Sequence, residues 1–217
     1  MKRNFIIIVL LSCALVYGQH ENNSVSTDEA FHRLLDGNKR FIENKFSNKD
    51  YQDEIKETSK GQHPYAVILT CSDSRLSPEI VFDESIGRLF VIRVAGNVID
   101  PITLGSIEYA VEHLGSGYIL VLGHTSCGAV KAAFDGGEFS PSIEEIAKLI
   151  LPAVDMAKKT KASKEVQLNS AVTDNVLLQL DNIKKESKII SEFLNEKKIR
   201  LDGAVYNIST GKVEFLN

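Results

Sequence analysis

Apolar and polar positions change rhythm several times along the 217 residues, and each rhythm marks an element. Phe31, Leu34, Leu35, Phe41 and Ile42 recur at helical spacing behind Ser26 and Glu29, which stand in a capping-box pattern. They predict an amphipathic N-terminal helix. Polar sequence follows as far as His63 and Pro64. Residues 65–70, "YAVILT", form a short apolar run that ends in a polar loop and reads as a buried strand. "LFVIRVAG" at 89–96 and "YILVLGH" at 118–124 repeat that pattern. Between them, Ser77 with Pro78 opens a short helix, and Asp100 with Pro101 opens a longer one ending at Gly115. "SCGAVKAAF" turns back into helix. Ser140 with Pro141 starts another helical region, in which Pro152 is a candidate kink. A long amphipathic stretch covers 163–197. "GAVYNISTGKVEFL" closes the chain as a strand or hairpin around Ser209, Thr210 and Gly211.

Apolar strands alternating with capped helices predict an α/β fold: a mostly parallel central sheet flanked by helices, with the amphipathic helix ahead of it. No repeat, linker or low-complexity tract divides the chain, so 19–217 is expected to be a single domain. Residues 1–18 stand apart. Lys2 and Arg3 precede an apolar run at 5–16, and small residues lie near Gly18, the layout of a secretory signal peptide. About 12 apolar residues fall short of the roughly 20 that span a bilayer. The expectation is therefore an exported chain, periplasmic or secreted, with no membrane span once the leader is removed. "LLSC" also resembles a lipoprotein cleavage box that would lipidate Cys13. The apolar run continues past Cys13, so cleavage near Gly18 is preferred.

Hydrophobic residues at 43% and charged residues at 25% are an ordinary globular balance. The net charge of −4, with no basic stripe, argues against a nucleic-acid partner. Of three cysteines, only Cys71 and Cys127 lie beyond the leader. In parallel sheets, ligands bind beyond the carboxyl ends of the strands. Cys71 follows the first predicted strand, while His124 and Cys127 follow the third, so all three would be neighbours if those strands pair. Two readings stand at this level. One is a disulfide, the default for two cysteines in an exported protein. The other is a three-ligand zinc set of two thiolates and an imidazole, with its fourth position open. The histidine beside Cys127 and the Asp73/Arg75 pair beside Cys71 favour the metal. That pair can form a bidentate ion pair. It either orders its turn or sets a carboxylate next to the metal, as a fourth ligand or as an acceptor for water.

"CSDSR" followed about fifty residues later by "GHTSCGAV" resembles the bacterial β-class carbonic anhydrases. The likeness continues through "LLDGNKRF", "PEIVFDESIGRLFVIRVAGNV" and "LGSIEYAVEHLG", so it covers most of the chain after the leader. The resemblance implies the β-carbonic anhydrase fold and one zinc per chain, held by Cys71, His124 and Cys127. It implies Asp73 and Arg75 as a catalytic dyad, with Asp73 a zinc ligand in a closed state only. It also implies substrate-pocket roles for Gln62, Phe90 and Tyr109, the two aromatics being lent by a neighbouring subunit, hence a homodimer or higher even oligomer. The implied reaction is reversible hydration of carbon dioxide to bicarbonate and a proton. A rival on the same scaffold hydrolyses carbon disulfide or carbonyl sulfide; a rival of another class is a non-catalytic zinc-binding or redox protein. In one respect the chain departs from some bacterial members, which carry a second, inhibitory bicarbonate pocket of tryptophan, arginine and tyrosine. Arg93 and Tyr206 match two of those positions, but Ile68 stands at the tryptophan position and the chain has no tryptophan.

Overall fold

The structure, a computed structural model, describes residues 25–216. The leader 1–18 and Cys13 lie outside the described residues. α1 (Thr27–Ile42) starts where Ser26 Oγ accepts the Glu29 amide at 3.2 Å. The reciprocal half of the capping box is not made, because the Glu29 carboxylate pairs with Arg33 one turn on. The helix buries its apolar stripe on its own domain. Ala30 and Leu34 are fully buried, and Phe31 and Phe41 pack against the same core. Leu35 and Ile42 remain exposed. A second helix, α2 (Tyr51–Thr58), occupies polar sequence in which no element was expected. Its signal is the cap alone: Asp50 accepts from the Gln52 and Asp53 amides, and no residue of the helix is buried. The link between the two helices is tied down by Asp83. Its carboxylate takes Arg40 and Lys49 at 2.6 Å each and the Ser47 hydroxyl at 2.8 Å.

β1 (Ala66–Thr70), β2 (Leu89–Arg93), β3 (Tyr118–His124), β4 (Arg200–Tyr206) and β5 (Val213–Leu216) form one sheet in the order β2-β1-β3-β4-β5. The first four are parallel; β4 and β5 are the closing antiparallel hairpin. Side chains alternate between the two faces, as strand geometry requires. Ala66, Ile68, Tyr118, Leu120 and Leu122 face α1 and the short α3 (Pro78–Val81). Val67, Leu69, Ile119 and Val121 face α4 (Pro101–Glu112), α7 (Lys164–Glu186) and α8 (Lys188–Asn195). Burial on both faces is why these strands read as continuous apolar runs.

The stretch 163–197 is thus two helices rather than one. They break at Ser187, which is buried, caps α8 through the Ile190 amide at 3.1 Å and donates to Glu108. α6 (Pro141–Lys158) instead continues unbroken across Pro152. Together with α5 (Gly128–Asp135) and α7 it forms a third apolar cluster, over the carboxyl ends of the strands, which includes Cys71 and Cys127.

Candidate metal centre

β1 and β3 pair directly, with Thr70 opposite Leu122, and the Thr70 hydroxyl donates to the Leu122 carbonyl at 2.9 Å. That pairing delivers Cys71, just past β1, to His124, the last residue of β3. The chain then turns through Thr125 and Ser126, the latter at φ 57, a left-handed conformation uncommon for a residue with a side chain. The turn is held because the Thr125 amide donates to the Tyr206 carbonyl and the Thr125 hydroxyl accepts the Ile208 amide. It brings Cys127, the N-cap of α5, round to the same side. One ligand atom from each of Cys71, His124 and Cys127 lies within 4.8 Å of the others, and all three residues are buried.

The two sulfurs are 3.9 Å apart and both cysteines are free. A disulfide needs about 2.05 Å, so the disulfide reading gives way. His124 Nδ1 lies 2.9 Å from the Thr125 carbonyl and must donate to it, which leaves a lone pair on Nε2. Nε2 is buried without a hydrogen-bond partner, one of two such side-chain atoms among the described residues. A buried acceptor aimed at two thiols, with its tautomer fixed from behind, is the arrangement a metal-ligating histidine needs. The Cys71 thiol is pushed down, chiefly by the hydrogen bond from the Cys127 thiol, with further help from His124 and the Gly96 amide; burial opposes this. The same bond, with burial, pushes Cys127 up. Burial lowers the affinity of His124 for a proton, but the neighbouring Cys71 thiolate outweighs it and the net shift is upward. Two sulfurs and one imidazole nitrogen suit zinc and do not suit magnesium or calcium.

Asp73 stands at the rim, its Oδ2 3.9 Å from His124 Nε2. Both carboxylate oxygens are taken by Arg75: Oδ1 by Nε at 2.9 Å and the backbone amide at 3.0 Å, Oδ2 by Nη2 at 2.7 Å. This bidentate pair holds the Asp73 carboxyl well below the usual carboxylate range. Arg93 Nη2 donates to the Asp73 carbonyl at 2.8 Å and so braces the same turn. Ile68 and Tyr206 both belong to the core beneath α1.

The other expected pocket residues are not brought to this group within the chain. Gln62 is exposed, ahead of β1 and therefore at the opposite end of that strand from Cys71. Phe90 is in register with Val67, near the start of β2, and its ring lies 6.3 Å from that of Tyr109 on α4. Tyr109 is 48% exposed. Sequence reasoning also passed over residues that shape the centre. The Gly96 amide donates to Cys71 Sγ at 3.3 Å, from a 3-10 turn over Ala95–Asn97. Asn175 donates to the Gly96 carbonyl at 2.8 Å. The available signal was two amides, Asn175 and Gln179, one turn apart on a helix face otherwise made of Ala171, Val172, Val176, Leu180 and Ile183.

Residues 66–213 match the family model described as "Carbonic anhydrase". The chain is 36% identical to a carbonic anhydrase of Mycolicibacterium smegmatis, over 85% of this chain and 91% of that protein. It is 34% identical to carbonic anhydrase 2 of Mycobacterium tuberculosis, over 84% of this chain and 89% of the relative. Among solved structures, the β-carbonic anhydrase CcaA superposes with a TM-score of 0.70 at 29% identity, covering 86% of this chain and 91% of that one.

Proposed function

The chain belongs to the β-carbonic anhydrase family, and from that premise we propose that it hydrates carbon dioxide reversibly to bicarbonate and a proton at a zinc ion held by Cys71, His124 and Cys127. The observation that carries the reading is the buried, unpartnered Nε2 of His124 facing two free thiols beside an ion-paired aspartate. A zinc ion there supplies the acidification of water that makes a nucleophile available near neutral pH, chemistry for which carbonic anhydrases are themselves the standard example.

The chain's own residues do the rest. Arg75 occupies both oxygens of Asp73 and keeps the carboxylate ionised, so Asp73 can only accept a hydrogen bond. Placed at the rim of the ligand group, it accepts from the attacking water and aims the free lone pair toward the carbon of the substrate. Its pairing with Arg75 also restrains it from becoming a fourth ligand, the closed state. Gln62 donates to a substrate oxygen, and Phe90 and Tyr109 supply apolar surface for an uncharged gas. Since none of the three lies at the centre of its own chain, they act there from a second copy, in a homodimer or higher even oligomer.

Stopped-flow hydration of carbon dioxide, run with and without a chelator and alongside elemental analysis, tests this. The expected result is one zinc per chain and activity that follows the metal. Active protein without metal, its two sulfurs joined as a disulfide, would overturn it.

A further inference from the structure

We propose that Asn175 and Gln179 are positioning residues of the metal centre: together they hold the Ala95–Asn97 turn so that the Gly96 N–H stays on the Cys71 sulfur. The inference rests on the reading of Cys71, His124 and Cys127 as metal ligands.

The turn has one backbone bond of its own, from the Asn97 amide to the Val94 carbonyl at 3.0 Å. Gly96 sits at φ 72 and Asn97 at φ 46, two consecutive left-handed residues inside a three-residue element. A Cβ at Gly96 would stand 2.6 Å from Ile150 Cδ1 and 3.2 Å from Ala129 Cβ, so only glycine brings this backbone close enough to the sulfur. The side-chain bonds that hold the turn's far side come from α7. Asn175 Nδ2 donates to the Gly96 carbonyl at 2.8 Å, and Gln179 Oε1 accepts the Ile99 amide at 3.0 Å. The two side chains join each other, Gln179 Nε2 donating to Asn175 Oδ1 at 3.1 Å.

Only one orientation of the amides satisfies this set. The Gly96 carbonyl only accepts, so it faces the Asn175 NH2; the Ile99 amide only donates, so it faces the Gln179 oxygen. The remaining groups are then complementary. Both side chains are buried, at 1% and 0% exposure, on a face that is otherwise apolar. Burying two primary amides there opposes folding unless they are paired. Apolar residues would cover the strands as well but could not grip a loop backbone. The grip spans the turn: one amide holds it at the Gly96 carbonyl, the other at the Ile99 N–H, and Cys71 receives its hydrogen bond from the held Gly96 N–H.

The consequence is a defined donor to one thiolate. A hydrogen bond to a ligand sulfur draws off charge that would otherwise go to the metal, and fixes the direction of the remaining lone pairs. Outer partners of this kind typically change metal affinity by about 10–100-fold when removed.

The test uses full-length protein loaded with cadmium-113. In the wild-type chain a through-bond coupling is expected between the metal and the Gly96 amide proton, across the sulfur. In Asn175→Leu and, separately, in Gln179→Met, that coupling should fall, Gly96 and Ile99 should lose amide-exchange protection, and cadmium should leave to a chelator about 10–100-fold faster. The amides of β1 and β3 should stay protected, which separates a released turn from a damaged fold. Cadmium bound by both thiolates with no coupling to Gly96 in the wild type would overturn this inference and leave the metal site standing. Unchanged coupling and release in either folded variant would do the same. Cadmium failing to bind these three residues would remove the metal reading and this inference with it. Should both variants fail to fold, Asn175→Ser and Gln179→Ala, which shorten the side chains instead of replacing them with apolar ones, decide by the same coupling and release.

Discussion

At the scale of single residues, the ligands and the dyad should separate cleanly. Cys71→Ser, His124→Ala and Cys127→Ser each remove a donor from the buried group and are expected to lose bound metal by elemental analysis. Asp73→Ala and Arg75→Ala should retain it, because neither is among the three, yet each should lower turnover by about 100-fold or more, the usual cost of losing a transition-state hydrogen bond. Near wild-type turnover in either would make the dyad purely a brace for its turn. A third residue matters for stability alone. Asp83 is fully buried as a side chain and accepts from Arg40, Lys49 and Ser47, and these donors hold its carboxyl well below the usual range despite burial. A depressed folded-state pKa gives stability that is present above the unfolded value, near 3.9, and is lost as pH falls below it. Asp83→Asn should therefore cost about 3 kcal/mol near neutral pH. The gap to wild type in urea unfolding should narrow as pH falls below about 4; a gap independent of pH would contradict the account. The grouping of Cys71, His124 and Cys127 beside the Asp73/Arg75 pair was legible because two cysteines, a histidine and an adjacent acid–base pair stand together at strand ends. Asp83, Asn175 and Gln179 were not, since in sequence a buried acid looks like a surface acid and a buried amide looks like a tolerated polar position.

At the scale of elements, apolar rhythm located every strand and most helices, and it failed where another force decides. α2 has no buried face, so only its Asp50 cap could have announced it. The break at Ser187 is set by a buried hydroxyl between two helices whose joint pattern reads as continuous. α1 offers a sign test of tertiary control. Replacing glycine by alanine inside a helix ordinarily stabilises by roughly 0.5–1 kcal/mol. At Gly37 the added Cβ would lie 1.8 Å from the Phe82 carbonyl oxygen, so helix and α3 would have to part. Gly37→Ala is expected to destabilise by about 1–3 kcal/mol, the usual range for overpacking. A raised melting temperature would show that α1 is more loosely docked than its buried Leu34 indicates.

At the scale of the whole molecule, the domain brings Cys71, His124 and Cys127 together but leaves Gln62, Phe90 and Tyr109 away from them. Sedimentation at working concentration should find a dimer or larger even assembly, and Tyr109→Ala should raise KM more than it lowers turnover. A fully active monomer would refute the shared pocket. α1 packs Leu34, Phe31 and Phe41 of its apolar stripe against its own domain and leaves Leu35 and Ile42 exposed. The parallel pairing of β1 with β3 has a consequence in time as well as in space. His124 and Cys127 are near neighbours along the chain, whereas Cys71 lies about fifty residues earlier and reaches them only when those two strands meet. A refolding chain can thus grip an ion loosely with two donors from the start and tightly with three only after the sheet closes. Non-local pairing is the slow part of such folding, and an ion that prefers the closed site stabilises it by mass action. Cobalt added during refolding would mark that moment, its final thiolate band growing in step with β1–β3 closure rather than with the earlier appearance of helix.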